Sequence, residues 1–171
     1  MNKFSGEGEV PRIILMGVSG SGKSLLGAEL AHRLDLSFIE GDDLHPAENI
    51  DKLSQGIPLT DADRIPWLQA IHGRILEESK GCVVSCSALK PEYREILSEG
   101  LRRIQIVALT APRSVREERL RQRRGHFFNP NLLDNQLKTL TLTPDITNVD
   151  ASRAPHLVIR ELLFIVNSWK G

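Results

Sequence analysis

Eight consecutive residues carry the clearest chemistry in the chain. Gly17-Val18-Ser19-Gly20-Ser21-Gly22-Lys23-Ser24 satisfies the spacing GxxxxGK[ST]. Glycines at these intervals let the backbone turn tightly and aim successive N–H groups inward at phosphate oxygens, and a helix beginning behind them adds the positive end of its dipole. In that setting Lys23 reaches the β- and γ-phosphates of a purine nucleoside triphosphate, and the Ser24 hydroxyl is offered to Mg²⁺. A glycine-rich turn with an incidental lysine is the plainer reading, and the strand and helix expected on either side weigh against it. The loop does not say what receives the phosphate, because switches, ATPases and kinases all use it.

A second group is Glu40-Gly41-Asp42-Asp43-Leu44-His45-Pro46. Transfer of a phosphoryl group to a hydroxyl needs a carboxylate to accept or orient the hydroxyl proton, and often another to hold the water shell of the metal. Glu40 and Asp42 stand two apart and share one face of an extended segment. The same stretch also reads as a solvated acidic turn in which Asp43 caps the following helix. A third group lies between Arg113 and Arg124, where six arginines face two glutamates for a local charge of +4. Arg119 and Arg123 are four apart, so they share a helix face and can approach nucleotide phosphates together. Gly125 to Pro130 then reads as the hinge and tip of a small lid over about residues 124–135. A solvated basic helix and a nucleic-acid patch compete with this reading. The absence of interleaved aromatic residues argues against nucleic acid.

These groups need a frame, and the hydrophobic pattern supplies one. Arg12 to Met16 is a short apolar run ending at a glycine, as a buried parallel strand is. Leu25, Leu26, Leu30 and Leu34 recur at helical spacing, predicting a helix over 23–34, and Leu36 to Glu40 is strand-like again. From Pro46 to Ser79 the pattern is helical but interrupted by Gly56, Pro58 and Pro66, which predicts two or three helices. Cys82 to Cys86 and Ile104 to Leu109 read as strands, each followed by a helix starting near Pro91 or Pro112. A short strand near Ile146 to Val149 and a helix over Pro155 to Lys170 complete the series. Such alternation implies an α/β fold in which a parallel sheet is flanked by helices on both faces, as one domain over residues 1–171 behind a polar leader, residues 1–10.

Composition limits what else the chain can be. With 171 residues, 40% hydrophobic and 26% charged, there is room for one sizeable core. Twenty-two basic residues against twenty-two acidic ones give no net charge, which excludes a general attraction to nucleic acid or anionic membrane. Neutrality is an average over opposed regions, since residues 40–63 alone hold seven acids against one lysine. Cys82 and Cys86 lie along one strand about 13 Å apart, too far for a disulfide, and no Cys or His cluster at ligand spacing suggests zinc. Buried, reduced thiols are expected, and no histidine and acid partner marks Cys86 as a nucleophile. No apolar run is long enough for a signal sequence or a membrane span, so a cytoplasmic protein is expected.

Taken together the motifs resemble the small gluconokinases of the P-loop type, relatives of shikimate and nucleoside monophosphate kinases. The matching residues are Gly17 to Ser24, Glu40 to Pro46, Asn49-Ile50, Gly56 to Leu59, Asp63-Arg64, Pro66 to Leu68, Cys86 to Lys90, Tyr93-Arg94, Arg119-Leu120, Arg123 and Gly125 to Phe127. They cover nearly all of the chain from residue 12 to about 140. The DDLHP, PWL, CSALK and RGHF blocks in this order are more specific than the phosphate loop.

The resemblance implies a three-layer P-loop NTPase fold with a small lid, and transfer of the ATP γ-phosphate to the 6-hydroxyl of D-gluconate, with Mg²⁺ as the metal. Asp42 is then the acceptor-side base or orienter, Glu40 helps place the metal through water, and Lys23 and Arg123 act on the transferring phosphate. Gluconate brings a carboxylate and a row of hydroxyls, so its pocket needs a cation and several hydrogen-bonding groups. Arg64 is the first candidate for the carboxylate, with His45, Ser87, Lys90 and His126 as further contacts. An ion pair of Arg64 with Asp61 or Asp63 competes with that role. Trp67 is either a flat wall for the sugar carbons or an ordinary core residue. A homodimer is common in the family. The resemblance weakens after Gln136, where Leu140-Thr141-Leu142-Thr143-Pro144 lacks the usual acidic residue before proline, leaving the adenine contacts undefined. The alternatives are a kinase for another hydroxy acid such as shikimate, and a nucleotide-binding regulator. Lys23, Asp42, Arg119 and Arg123 together argue against the regulator.

Overall fold

The computed structural model describes residues 10–122 and 130–168. Among them, β1 (Arg12–Met16), β2 (Ser37–Glu40), β3 (Cys82–Ser85), β4 (Ile104–Thr110) and β5 (Thr147–Asp150) form one sheet in the order β2-β3-β1-β4-β5. All its pairings are parallel. The helices are α1 (Lys23–Leu34), α2 (Ala47–Ser54), α3 (Asp61–Glu77), α4 (Pro91–Ser98), α5 (Arg113–Gln122), α6 (Pro130–Thr139) and α7 (Pro155–Ser168), with a 3₁₀ turn over Gly41–Leu44.

The continuous apolar runs of the strands have a direct cause. Successive side chains of β1 point to opposite faces, and both faces are covered. Ile13 and Leu15 pack with Leu26 and Leu30 of α1 and Val158 and Leu162 of α7. Ile14 and Met16 pack on the other side with Trp67, Leu68 and Ile71 of α3 and Tyr93 and Leu97 of α4. This gives the three layers that the alternating pattern implies. A smaller apolar cluster joins Val18 of the phosphate loop, Leu89 after β3, Leu120 of α5 and Leu133 of α6.

Strand register sets up the site. Leu15 is level with Ser85, Ser85 with Glu40, and Met16 with Ala108. The segments leaving β1, β2, β3 and β4 therefore emerge side by side at the carboxyl edge of the sheet, where open α/β sheets bind ligands.

Two local expectations are corrected, and the open choice for Trp67 is decided. Pro66 lies inside α3 and does not interrupt it. The carbonyl it leaves without a partner belongs to Ala62, and Ala62, Ile65 and Pro66 all face solvent, so water can serve that oxygen. Asp43 caps no helix. It sits in the 3₁₀ turn, and Pro46 occupies the N-cap of α2 without a side-chain bond. Trp67 is a core residue, 1% exposed, and offers no open wall to a sugar. Its indole N–H donates to the Gly41 carbonyl at 2.7 Å. Cys82 and Cys86 are free and buried, as expected, and burial pushes each thiol up to about 12.

Candidate active site

The phosphate loop is built by conformations that glycine favours. Gly22 stands at the N-cap of α1 with φ +99°, and its lack of a side chain leaves the first N–H groups of the helix uncapped. Open helix amides of this kind are an anion site. Lys23 donates from Nζ to the Val18 carbonyl at 3.1 Å, which folds its side chain back over the loop. Four long-range bonds hold the loop from outside. The Gly17 N–H donates to the Ser87 carbonyl at 3.2 Å. The Ser19 N–H donates to Gln136 Oε1 of α6 at 2.7 Å. Arg119 donates from Nη1 to the carbonyls of Gly20 and Ser21, both at 3.4 Å, and from Nη2 to the Ala151 carbonyl at 2.7 Å.

A cavity of about 340 Å³ opens over this loop. Ser19, Gly20, Gly22, Lys23 and Ser24 line one side of it together with Asp42 and Arg119. Ala151, Arg153, Pro155 and Val158, after β5, form another wall, and Leu25 at its mouth is 68% exposed. The structure thus brings Lys23, Ser24 and Asp42 to one volume, although 18 positions separate Ser24 from Asp42 in the chain. Glu40, the last residue of β2, is not among the lining residues. Its charge nevertheless reaches the buried Cys86 thiol, as do those of Asp42 and Lys23. A thiol held near 12 stays protonated at neutral pH, which leaves Cys86 no nucleophilic role.

Beside Asp42 the acceptor-side candidates form a connected cluster. The His45 ring stacks on Trp67, with centroids 4.1 Å apart and planes 14° from parallel. Its Nδ1 lies 3.3 Å from Asn49 Nδ2, and the buried Asn49 amide also donates to the Asp63 carbonyl at 2.9 Å. Burial holds the His45 imidazole below its ordinary value, Asp42 opposes this, and Arg64 adds to it. Arg64 is largely buried and donates to the Tyr93 hydroxyl at 3.2 Å. Lys90 donates to both carboxylate oxygens of Asp61 at 2.8 Å, and the Tyr93 hydroxyl donates to Asp61 Oδ1 at 2.5 Å. The expected Arg64–Asp61 ion pair exists only at 3.9 Å. Asp63 is engaged elsewhere, in a capping box with Thr60 at the start of α3 and in a 2.7 Å ion pair with Lys52. The Lys52 bond, aided by Thr60, pulls its carboxyl down to about 2.

Two of the expected site residues also bond the phosphate loop. Ser87 meets the phosphate loop through its carbonyl. Arg119 grips carbonyls of that loop from the wall of the cavity. Arg123 and His126, with the tip of the expected lid, lie outside the described residues, and positions 130–135 of that lid form the start of α6. Sequence reasoning missed the meeting of Asp61 and Tyr93 with Lys90, and missed Gln136 and the wall after β5 altogether. Tyr93 sits in a block already singled out, and its spacing from Lys90 was the available signal. Gln136 is 117 residues from the amide it binds, and no local pattern marks it.

Similarity to known proteins agrees with this geometry. The AAA domain family model matches residues 13–142. The thermoresistant gluconokinase of Escherichia coli K12 is 45% identical over 130 residues, covering 74% of each chain. A crystal structure of a gluconokinase from Sinorhizobium meliloti 1021 superposes with a TM-score of 0.81 at 44% identity, covering 92% of this chain and 94% of that one. Shikimate kinase from Aquifex aeolicus shares the fold, with a TM-score of 0.60 over 94% of this chain and 99% of its own, at only 20% identity. A P-loop beside an acidic turn, on a sheet matched at this identity and over this much of the chain, makes it a member of the gluconokinase family.

Proposed function

We propose that the chain transfers the γ-phosphate of ATP to the 6-hydroxyl of D-gluconate, giving 6-phospho-D-gluconate and ADP. The observation that carries this reading is the shared cavity of Lys23, Ser24 and Asp42, with Arg64 and Lys90 in the adjoining cluster. The phosphate loop and the uncapped start of α1 bind the nucleotide phosphates, and Lys23 neutralises charge on the group in transfer. Asp42 accepts or orients the proton of the acceptor hydroxyl. Arg64 and Lys90 receive the carboxylate at the far end of the acceptor, and His45, held on Trp67 and kept neutral by burial, meets its hydroxyls. Ser87 and His126 complete the acceptor contacts, and Arg119 and Arg123 serve the nucleotide side.

Mg²⁺ suits the residues present. The groups of Ser24 and Asp42 that reach the cavity, and Glu40 behind it, offer oxygen, the donor type this ion takes. No set of three or more His, Cys, Asp or Glu side chains among the described residues forms a closed cage. Mg²⁺ typically keeps several waters and relies on substrate phosphates, and here Ser24 would hold it, with Glu40 acting through water. When bound, the ion neutralises the charge of the β- and γ-phosphates.

No described helix is long and apolar enough to cross a membrane. We take the protein to act in the cytoplasm, as one kinase domain in a homodimer. A coupled assay for ADP tests the reaction: ADP forms with ATP, Mg²⁺ and D-gluconate, and only at background with shikimate or with no acceptor. Equal ADP in every tube, or ADP with shikimate alone, would overturn the reading.

A further inference from the structure

Asp61 is surrounded by groups that suit an anion. Its Oδ1 accepts from Lys90 and from the Tyr93 hydroxyl, its Oδ2 accepts from Lys90 again, and Arg64 stands 3.9 Å away. Both cations also lie over the Tyr93 ring, Arg64 at 5.6 Å and Lys90 at 5.5 Å from its centroid. The start of α3 does not need this carboxylate for its cap, because Thr60 and Asp63 already form a complete capping box. Nor does the core need it, since its side chain is 59% exposed.

The charge of the cluster is then simple to state. Arg64 and Lys90 contribute two positive charges and Asp61 removes one, leaving +1. Asp61 does this without using up the donors of Arg64. Arg64 has five N–H groups, and the bond to Tyr93 takes one of them. The three donors of Lys90 are shared between Asp61 and the Tyr93 hydroxyl, so the free donors are those of Arg64. An incoming monoanionic head group therefore finds free donors and one uncompensated positive charge. A dianionic head leaves a negative charge over, and a neutral one leaves the cation unpaired. Because the Arg64 side chain is only 11% exposed, either mismatch is felt most there.

We propose that Asp61 is a specificity-determining residue, which trims the head-group site to a single positive charge and so selects monocarboxylate acceptors over terminal sugar phosphates and over neutral polyols. The proposal rests on reading Arg64 and Lys90 as the site for the acceptor head group.

The test compares kcat/KM for three acceptors that differ at the end remote from the reacting hydroxyl. These are D-gluconate, D-glucitol, and D-glucitol 1-phosphate, whose terminal phosphate is a dianion. Because phosphate is larger than carboxylate, the quantity to follow is the change on substitution. In Asp61→Asn, the ratio of D-glucitol 1-phosphate to D-gluconate is expected to rise at least tenfold over wild type, carried mainly by KM. Asp61→Glu, which restores the charge, is expected to return the ratio toward the wild-type value, and it supplies a folded comparison if the asparagine variant is unstable. A ratio unchanged in Asp61→Asn, with KM raised for all acceptors alike, would overturn the proposal and leave Asp61 as a strut for Lys90 and Tyr93. Wild-type enzyme that uses D-glucitol as well as D-gluconate would overturn the head-group reading itself, and the proposal with it.

Discussion

Gly20 has φ +78°, and a Cβ built there would lie 2.7 Å from the backbone carbonyl oxygen of Arg116. A side chain could swing aside, but a carbonyl within α5 cannot move without carrying the helix. Gly20→Ala therefore combines left-handed strain of about 1 kcal/mol with a backbone collision between phosphate loop and helix. Titration calorimetry is expected to show ATP affinity lowered more than tenfold, and near-native affinity would show that the loop can give way. His45 carries a prediction of a different kind. Burial depresses its pKa below the ordinary 6.5, so the unfolded chain takes up the proton first as pH falls. The stability that neutral His45 contributes is present above pH 6.5 and is lost progressively below it. Denaturant melts of His45→Gln are expected to lose stability less steeply than wild type between about pH 6.5 and 5. Parallel slopes would mean that the imidazole titrates as it does in the unfolded chain.

Helix α6 ties the phosphate loop to the segment after β3. Its Gln136 accepts from Ser19 in the phosphate loop, its Leu133 packs with Val18 and Leu89, and the Thr141 N–H just beyond it donates to the Leu89 carbonyl at 2.8 Å. Buried Arg94 closes the same junction from α4, donating to the carbonyls of Ala88 and Thr141, both at 3.1 Å. Gln136→Leu keeps the bulk and removes the acceptor, leaving a partly buried N–H unpaired at a cost of about 1 to 3 kcal/mol. The expected result is a fall of about tenfold in kcat/KM for ATP with KM for gluconate little changed. A rise in gluconate KM alone would place Gln136 on the acceptor side. Elements of this fold were legible where their cause is local. The phosphate loop and α1 follow from eight residues in a row, and the strands follow from β1 side chains that are buried alternately on both faces. Pro66 misled because its effect on α3 depends on whether Ala62 can reach water, which is a tertiary fact. The Asp61 cluster was half visible, as Arg64 three residues along one helix. Lys90 and Tyr93 arrive from another element, and packing alone determines that meeting.

Across the whole molecule the strand order separates the two jobs of the proposed function. The connections after β2 and β3 carry Asp42 and Lys90, while those after β4 and β5 bring Arg119 and Ala151, and the phosphate loop after β1 lies between them at the centre of the sheet. The charge pattern follows the same division, with the acidic stretch 40–63 on the acceptor side and the arginine-rich α5 on the nucleotide side. On the proposed function, phosphate moves from one half of the sheet edge toward the other, across the loop that holds it. If this division is physical, nucleotide binding is separable from acceptor chemistry. A ligand that binds only the folded state stabilises it by about 2.7 kcal/mol at one hundred times its Kd. For a chain of this size that corresponds to a rise in Tm of about 5 to 10 °C. Wild type and Asp42→Asn are both expected to show the rise with ATP and Mg²⁺, although Asp42→Asn makes no product, whereas Lys23→Met is expected to lose most of it. Differential scanning fluorimetry at matched nucleotide reads all three. Loss of the shift in Asp42→Asn would move Asp42 from the acceptor to the metal, and with it the boundary between the two halves of the site.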